Sequence, residues 1–85
     1  MNLMSSEWEC SLKYADQICA ELKKIGFNVM AETYTGHNRS KGIYLHVLNH
    51  NNMIYKSYAT GIYSNLPEMK ASIKVLSQRI MRECY

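Results

Sequence analysis

The sequence is poor in proline and glycine, which interrupt helices and strands, and in cysteine, which forms disulfide cross-links. It has one proline, four glycines and three cysteines among 85 residues. Three cysteines (Cys10, Cys19 and Cys84) are an odd number and lack the close spacing of a disulfide framework or a zinc site. We therefore expect free thiols in a reducing compartment, which is the cytoplasm or the cytoplasm of a host, and neither a metal nor a cofactor.

The chain also lacks the segments that mark a membrane protein or a known class of enzyme. No apolar run approaches the roughly 18 residues of a transmembrane helix, and the first nine residues lack the basic and apolar regions of a signal peptide. No glycine-rich phosphate loop or recognised nucleophile motif is present. These absences favour a protein that acts away from the membrane, by binding rather than by catalysis.

The composition is that of one small globular domain over residues 1–85. Hydrophobic residues make up 47% of the chain and charged residues 20%, whereas disordered chains are poorer in apolar residues. Ten lysines and arginines against seven acids give a net charge of +3, so an anionic partner is permitted. Most acids lie in the first third of the chain, and cations dominate the last third.

Two helices follow from apolar residues spaced three and four apart. The first is predicted over residues 6–25, with Ser5 or Ser6 as the N-cap, Glu9 in capping-box spacing and Gly26 after its end. The second is predicted over residues 66–83. Asn65 suits the N-cap, and Pro67 suits the first turn, where no backbone donor is lost.

Three strands follow from alternating apolar and polar residues over 27–35, 42–49 and 53–60, with an asparagine-rich turn at 49–52. The facing of the third strand stays open, since alternation puts Ile54 and Tyr58 on the same side as Lys56. The fold class is therefore α+β in the order α-β-β-β-α. We expect a three-stranded antiparallel sheet with two helices packed on one face and the other face open.

The glycines at the element junctions, Gly26, Gly36 beside His37, and Gly61, give a spacing that resembles the double-stranded-RNA-binding domain across residues 7–83. That resemblance implies that the first loop enters a minor groove and that lysines at the start of the second helix grip phosphates. Lys70 lies in that region, while Leu66 and Pro67 stand where the family places its basic pair.

The segment Thr35-Gly36-His37 resembles a degenerate form of the glycine–serine–histidine of small toxin ribonucleases of the HicA type, which share this fold. The resemblance implies an enzyme in which His37 is the catalytic acid or base. The alternative for a histidine in a polar loop is simple solvation.

A basic surface is the first candidate site. Lys70, Lys74, Gln78 and Arg82 repeat every four residues on the second helix. Further cations are expected in the first loop and on the third strand, at Arg39, Lys41 and Lys56. Cations at this spacing suit a phosphate backbone or an acidic protein surface, and the alternative is an ordinary solvated helix face.

The open sheet face is the second candidate site. Tyr34, Tyr44 and His46 share one side of their strands, and Tyr55 or Tyr58 would extend the group. Such aromatic side chains stack on bases or anchor protein interfaces, unless they serve only cross-strand pairing.

The sequence thus favours a small non-enzymatic module that binds RNA or a nucleoprotein assembly through Lys70, Lys74, Arg82 and the first loop. The alternative is a protein-directed inhibitor or adaptor, of the kind that phages and mobile elements encode, which blocks a host complex through Tyr44, Tyr58 and the outer side of the second helix. A homodimer through the open face is compatible with either function.

Overall fold

The computed structural model describes residues 3–36 and 39–84. It contains helix α1 (Ser5–Lys24), strands β1 (Val29–Thr35), β2 (Lys41–Leu48) and β3 (Ile54–Ala59), and helix α2 (Leu66–Glu83). The predicted α+β order α-β-β-β-α is confirmed, and each predicted boundary lies within two residues of the observed one. Within the described part of the chain, neither helix is both long enough and apolar enough to cross a membrane.

The three strands form one antiparallel sheet in the order β1-β2-β3. Both helices cover the same face of this sheet, as predicted, because the buried side chains of the strands and the helices form a single cluster. The most deeply buried members of that cluster are Ala15, Val29, Ile43, Leu45, Met69, Ile73 and Ile80. No helix of the described residues covers the opposite face of the sheet, which we call the open face.

The ends of the helices show where local chemistry agrees with the sequence and where it does not. Asn65 caps α2 as predicted, with its Oδ1 accepting a hydrogen bond of 3.0 Å from the backbone N–H of Glu68. The predicted serine cap of α1 is wrong. The helix begins at Ser5, and its extended Met4 donates its backbone N–H to the Glu7 carboxylate at 3.4 Å. The Glu7 carboxylate therefore satisfies the backbone N–H of the N-cap residue, which is the role of the acid in a capping box.

A β-bulge in the β2–β3 hairpin settles the facing of the third strand. Leu48 pairs with Ile54, but Val47 pairs with Lys56, so Tyr55 is the extra residue. The bulge separates two residues that simple alternation placed together. Ile54 lies opposite Leu48 on the open face, whereas Lys56 lies on the helix-covered side of the sheet, next to α2.

The Tyr34 side chain packs on a glycine of β2, at the end of the open face where β2 begins. Its ring lies over Gly42, the residue paired with it on β2, and its hydroxyl donates a 2.6 Å hydrogen bond to the Thr60 carbonyl beyond β3. A Cβ atom at Gly42 would collide with the Tyr34 ring. One aromatic side chain thereby bridges all three strands, and it needs a glycine beneath it.

Candidate nucleic-acid interface

The α2 stripe, which we define as Lys70, Lys74, Gln78 and Arg82, is exposed over its whole length. A four-residue repeat advances about 40° beyond a full turn at each step, so the stripe winds across the outer side of α2. Lys70 lies at its α1 side, where its Nζ sits 5.3 Å from the centre of the Tyr14 ring. Arg82 lies at its β3 side, next to Glu83.

The two helices differ in charge. Residues Ser5–Lys24 hold four acids against three lysines, a net charge of −1, and residues Leu66–Glu83 hold four cations against two acids, a net charge of +2. The two acids of α2, Glu68 and Glu83, stand in its first and last turns. The positive charge of the helical layer is therefore concentrated on α2, between its two acids.

The first loop lies at the end of the molecule where α2 begins. Gly36 packs against the side chain of Ile62, which belongs to the connection between β3 and α2. Arg39 and Lys41 are exposed at this end, and the Lys41 Nζ lies 5.7 Å from the centre of the Trp8 ring. The first loop thus lies near the segment before α2, and the Lys41 side chain lies beside the start of α1.

The cations at the other end surround a single carboxylate. We define the Glu83 cluster as Lys56, Arg79 and Arg82 around Glu83, with nitrogen–oxygen distances of 3.4, 3.3 and 3.7 Å respectively. Lys56 and Arg82 were predicted site residues, whereas Arg79 was missed because it lies off the four-residue repeat. Since one acid meets three cations, this end also keeps a net positive charge.

Tyr58 connects the Glu83 cluster to the core. Its hydroxyl donates a 3.0 Å hydrogen bond to Glu83 and lies 3.5 Å from the Cys84 sulfur, while its ring is buried under α2. Burial and these neighbours raise the pKa of the Tyr58 phenol. The hydrogen bond from Tyr58, together with Arg79 and Lys56, lowers the pKa of Glu83 below its ordinary value.

A prediction for stability follows from the lowered pKa of Glu83. Because the folded state favours the carboxylate, Glu83 stabilises the fold above its ordinary pKa of 4.5, and that contribution is lost as the pH falls below 4.5. We expect Glu83→Gln to be less stable than the natural chain at pH 7, and to lose less stability when the pH is lowered to about 3.

Urea unfolding at both pH values measures this difference. Glu21→Gln is the matched control, since Glu21 is an exposed acid on α1. An identical acid sensitivity in the Glu83→Gln variant and the natural chain would contradict the role given to Glu83.

Comparison of this chain with protein-family models, with curated proteins and with solved structures finds no match. The candidate interface therefore rests on the positions of its own side chains.

The open face carries part of the predicted aromatic group. Tyr44 lies between Tyr34 and His46, with ring centres 4.6 and 5.2 Å apart respectively. Tyr44 is half-buried in this row, so its ring presents only part of its surface to a partner. Of the two residues expected to extend the row, Tyr58 lies on the helix-covered side instead, and Tyr55 is the exposed bulge residue.

A hydrogen-bonded set of polar residues crosses the open face, and no sequence pattern predicts it. His46 Nδ1 lies 2.7 Å from Ser57 Oγ on β3, and His46 Nε2 lies 3.0 Å from Glu32 Oε1 on β1. We name Glu32, His46 and Ser57 the histidine relay. The bulge creates it. Without the extra residue, regular pairing from the turn would place Lys56, not Ser57, opposite His46.

His37, the residue required for a HicA-like ribonuclease, lies outside the described residues. The three cysteines are free; Cys19 and Cys84 are buried and Cys10 is exposed. Burial raises the pKa of the Cys19 thiol to about 11, so it stays protonated near neutral pH. Among residues 3–36 and 39–84, no three histidine, cysteine or acidic side chains gather as a metal site would require.

Proposed function

We propose that this chain is a small binding module that engages RNA, alone or within a nucleoprotein assembly, through the α2 stripe and the first loop. The observation that carries the proposal is the exposed run from Lys70 to Arg82, which contains no acid. Cations in such a run neutralise phosphates and release their counterions, which is the main source of sequence-independent affinity for nucleic acids.

The dimensions of the stripe fit a nucleic-acid backbone. Lys70 and Arg82 are twelve positions apart, which corresponds to about 18 Å along a helix. A duplex carries a negative charge about every 1.7 Å of its axis, so a stripe of this length faces several phosphates. Arg39 and Lys41 extend the positive surface beyond the start of α2, because the first loop packs against the segment that precedes this helix.

The first half of the stripe carries most of the proposed contact. Glu83 shares its charge among Lys56, Arg79 and Arg82, so these cations are partly neutralised before any ligand binds. The Lys70 ammonium group lies over the Tyr14 ring and, within residues 3–36 and 39–84, forms no salt bridge; Lys74 is exposed one turn further on. The element order, which resembles an RNA-binding domain, supports RNA as the ligand.

Affinity purification of the tagged chain from a cell lysate, with and without nuclease treatment, tests this function. We expect RNA to co-purify from the untreated lysate, and any protein partners to be lost after nuclease digestion. Recovery of a stoichiometric protein that resists nuclease, without RNA, would contradict the proposal.

That contrary result would support the second candidate function, a protein-directed inhibitor or adaptor. One observation favours it: Met30 and Ile54 are 40% and 52% exposed on the open face, on either side of the half-buried Leu48. An apolar group of this kind on an exposed surface suits a protein interface. Under this function, Met30→Ser with Ile54→Ser would abolish capture of the protein partner, whereas charge reversal on α2 would leave it intact.

A further inference from the structure

The histidine relay has the atomic arrangement of an activated nucleophile. The His46 ring is 7% exposed although it lies on the helix-free face, because its neighbours on all three strands surround it. Ser57, by contrast, is exposed. The imidazole is therefore shielded from water, whereas the serine bonded to it is an exposed residue.

The Glu32 carboxylate determines which nitrogen of His46 carries the proton. A carboxylate only accepts hydrogen bonds, so the Nε2 atom that lies 3.0 Å from it is the protonated nitrogen of the neutral ring. The lone pair of Nδ1 then faces Ser57 Oγ at 2.7 Å. A histidine held between an acid and a serine in this way can remove the serine proton.

The position of β3 at the sheet edge leaves the backbone of Ser57 free beside its hydroxyl. Thr60 donates its N–H to the Ile43 carbonyl, and hydrogen-bonded pairs alternate along an antiparallel ladder. By this alternation the backbone groups of Tyr58 bond to β2, whereas the backbone N–H and carbonyl of Ser57 point away from β2, toward the edge of the sheet. β3 has a neighbouring strand on one side only. An N–H next to a nucleophile is a group that stabilises an oxyanion.

From this geometry we propose that Ser57 is a reactive nucleophile that accepts acyl groups from small apolar esters, with His46 as the general base and Glu32 as the positioning residue. The surroundings set the substrate class. Ala59, two residues along on the same face, leaves the approach open, and Met30 and Ile54 offer exposed apolar surface for an acyl chain. This site lies on the face opposite the helices, so it is independent of RNA binding by α2.

The chemical step balances within these groups and the ester. Ser57 Oγ attacks the carbonyl carbon and forms a new carbon–oxygen bond, while its proton passes to His46 Nδ1. The tetrahedral oxyanion then collapses, the bond to the leaving alcohol breaks, and the proton on Nδ1 moves to the alcohol oxygen. The products are acyl-Ser57, the free alcohol and a neutral His46.

p-Nitrophenyl acetate and p-nitrophenyl butyrate are suitable probes. We expect release of nitrophenolate together with one acyl group on Ser57, located by mass spectrometry of peptides. Ser57→Ala should abolish this labelling, and His46→Gln should slow it by about 100-fold, the size of a general-base contribution. Ser64→Ala is the control, since Ser64 is an exposed serine in the connection before α2, and it should react at the natural rate.

Glu32 needs a readout that a purely structural role would not change. In Glu32→Gln a neutral amide replaces the carboxylate and allows the other tautomer. We expect slower acylation at an unchanged melting temperature, and a nitrogen NMR spectrum in which the His46 proton is no longer confined to Nε2.

Two results would overturn the proposal. One is acylation of folded Ser57→Ala at a rate within twofold of the natural chain, and the other is a label found on lysines instead of Ser57. If His46→Gln does not fold, the comparison of Ser57→Ala with Ser64→Ala still decides the matter, because both change only one hydroxyl.

Discussion

Replacing both Lys70 and Lys74 with glutamate will weaken the binding of a short RNA duplex at least about tenfold at 0.1 M salt. Each phosphate contact contributes about 0.9 to the slope of log affinity against log salt concentration. The loss of two contacts therefore reduces the magnitude of that slope by about 1.8. At 0.1 M salt this corresponds to a loss of affinity of well over tenfold. The new carboxylates also repel the phosphates. Fluorescence anisotropy with a labelled duplex measures the change.

A matched charge reversal separates the stripe from the overall charge of the chain. Lys13→Glu with Lys24→Glu alters two exposed lysines of α1, and the formal net charge falls from +3 to −1 in both double variants. We expect the α1 variant to keep most of its affinity, because its lysines lie among the acids of α1. An equal loss in the two variants would show that net charge alone governs binding.

Gly42→Ala will destabilise the fold by about 1–3 kcal/mol, the usual cost of forcing an extra methyl group into a filled site. The new Cβ would occupy the space of the Tyr34 ring. The ring can move away only by giving up its hydrogen bond to Thr60 and its contact with Tyr44. Urea unfolding of the natural chain and the variant measures the difference.

A double-mutant cycle tests whether the Tyr34 ring is the cause. In a Tyr34→Ala background the space above Gly42 is empty, and alanine there should be neutral or slightly stabilising, because alanine restricts the unfolded chain more than glycine does. If Gly42→Ala were equally destabilising in both backgrounds, the cost would come from the backbone and the proposed contact would be wrong.

The sequence predicted the element order because both helices and all three strands carry strong local patterns. The apolar stripes of α1 and α2 have the helical period, and Asn65 is placed where its side chain caps α2. The serine cap of α1 failed for a local reason as well. The helix begins one residue earlier than predicted, so Met4 is the N-cap and its N–H bonds to the Glu7 carboxylate three residues on.

The candidate sites were less predictable, because they depend on register and on three-dimensional neighbours. The bulge at Tyr55 shifts the pairing of β3 by one residue, and no residue type in the turn predicts a bulge. That shift places Lys56 and Tyr58 beside Glu83 and brings Ser57 to His46. Lys56 and Arg82, predicted as part of one basic surface with Lys70, lie instead around Glu83 at the other end of α2.

The most direct test of the central claim is the salt dependence of RNA binding by the natural chain. For about four phosphate contacts, the slope of log affinity against log salt is about −3.6, so the affinity should fall about 100-fold between 50 and 200 mM salt. The α2 stripe, Lys41 and Arg39 supply enough cations for such a slope. An affinity for RNA that stays constant over this range, or no measurable binding at 50 mM, would contradict the account.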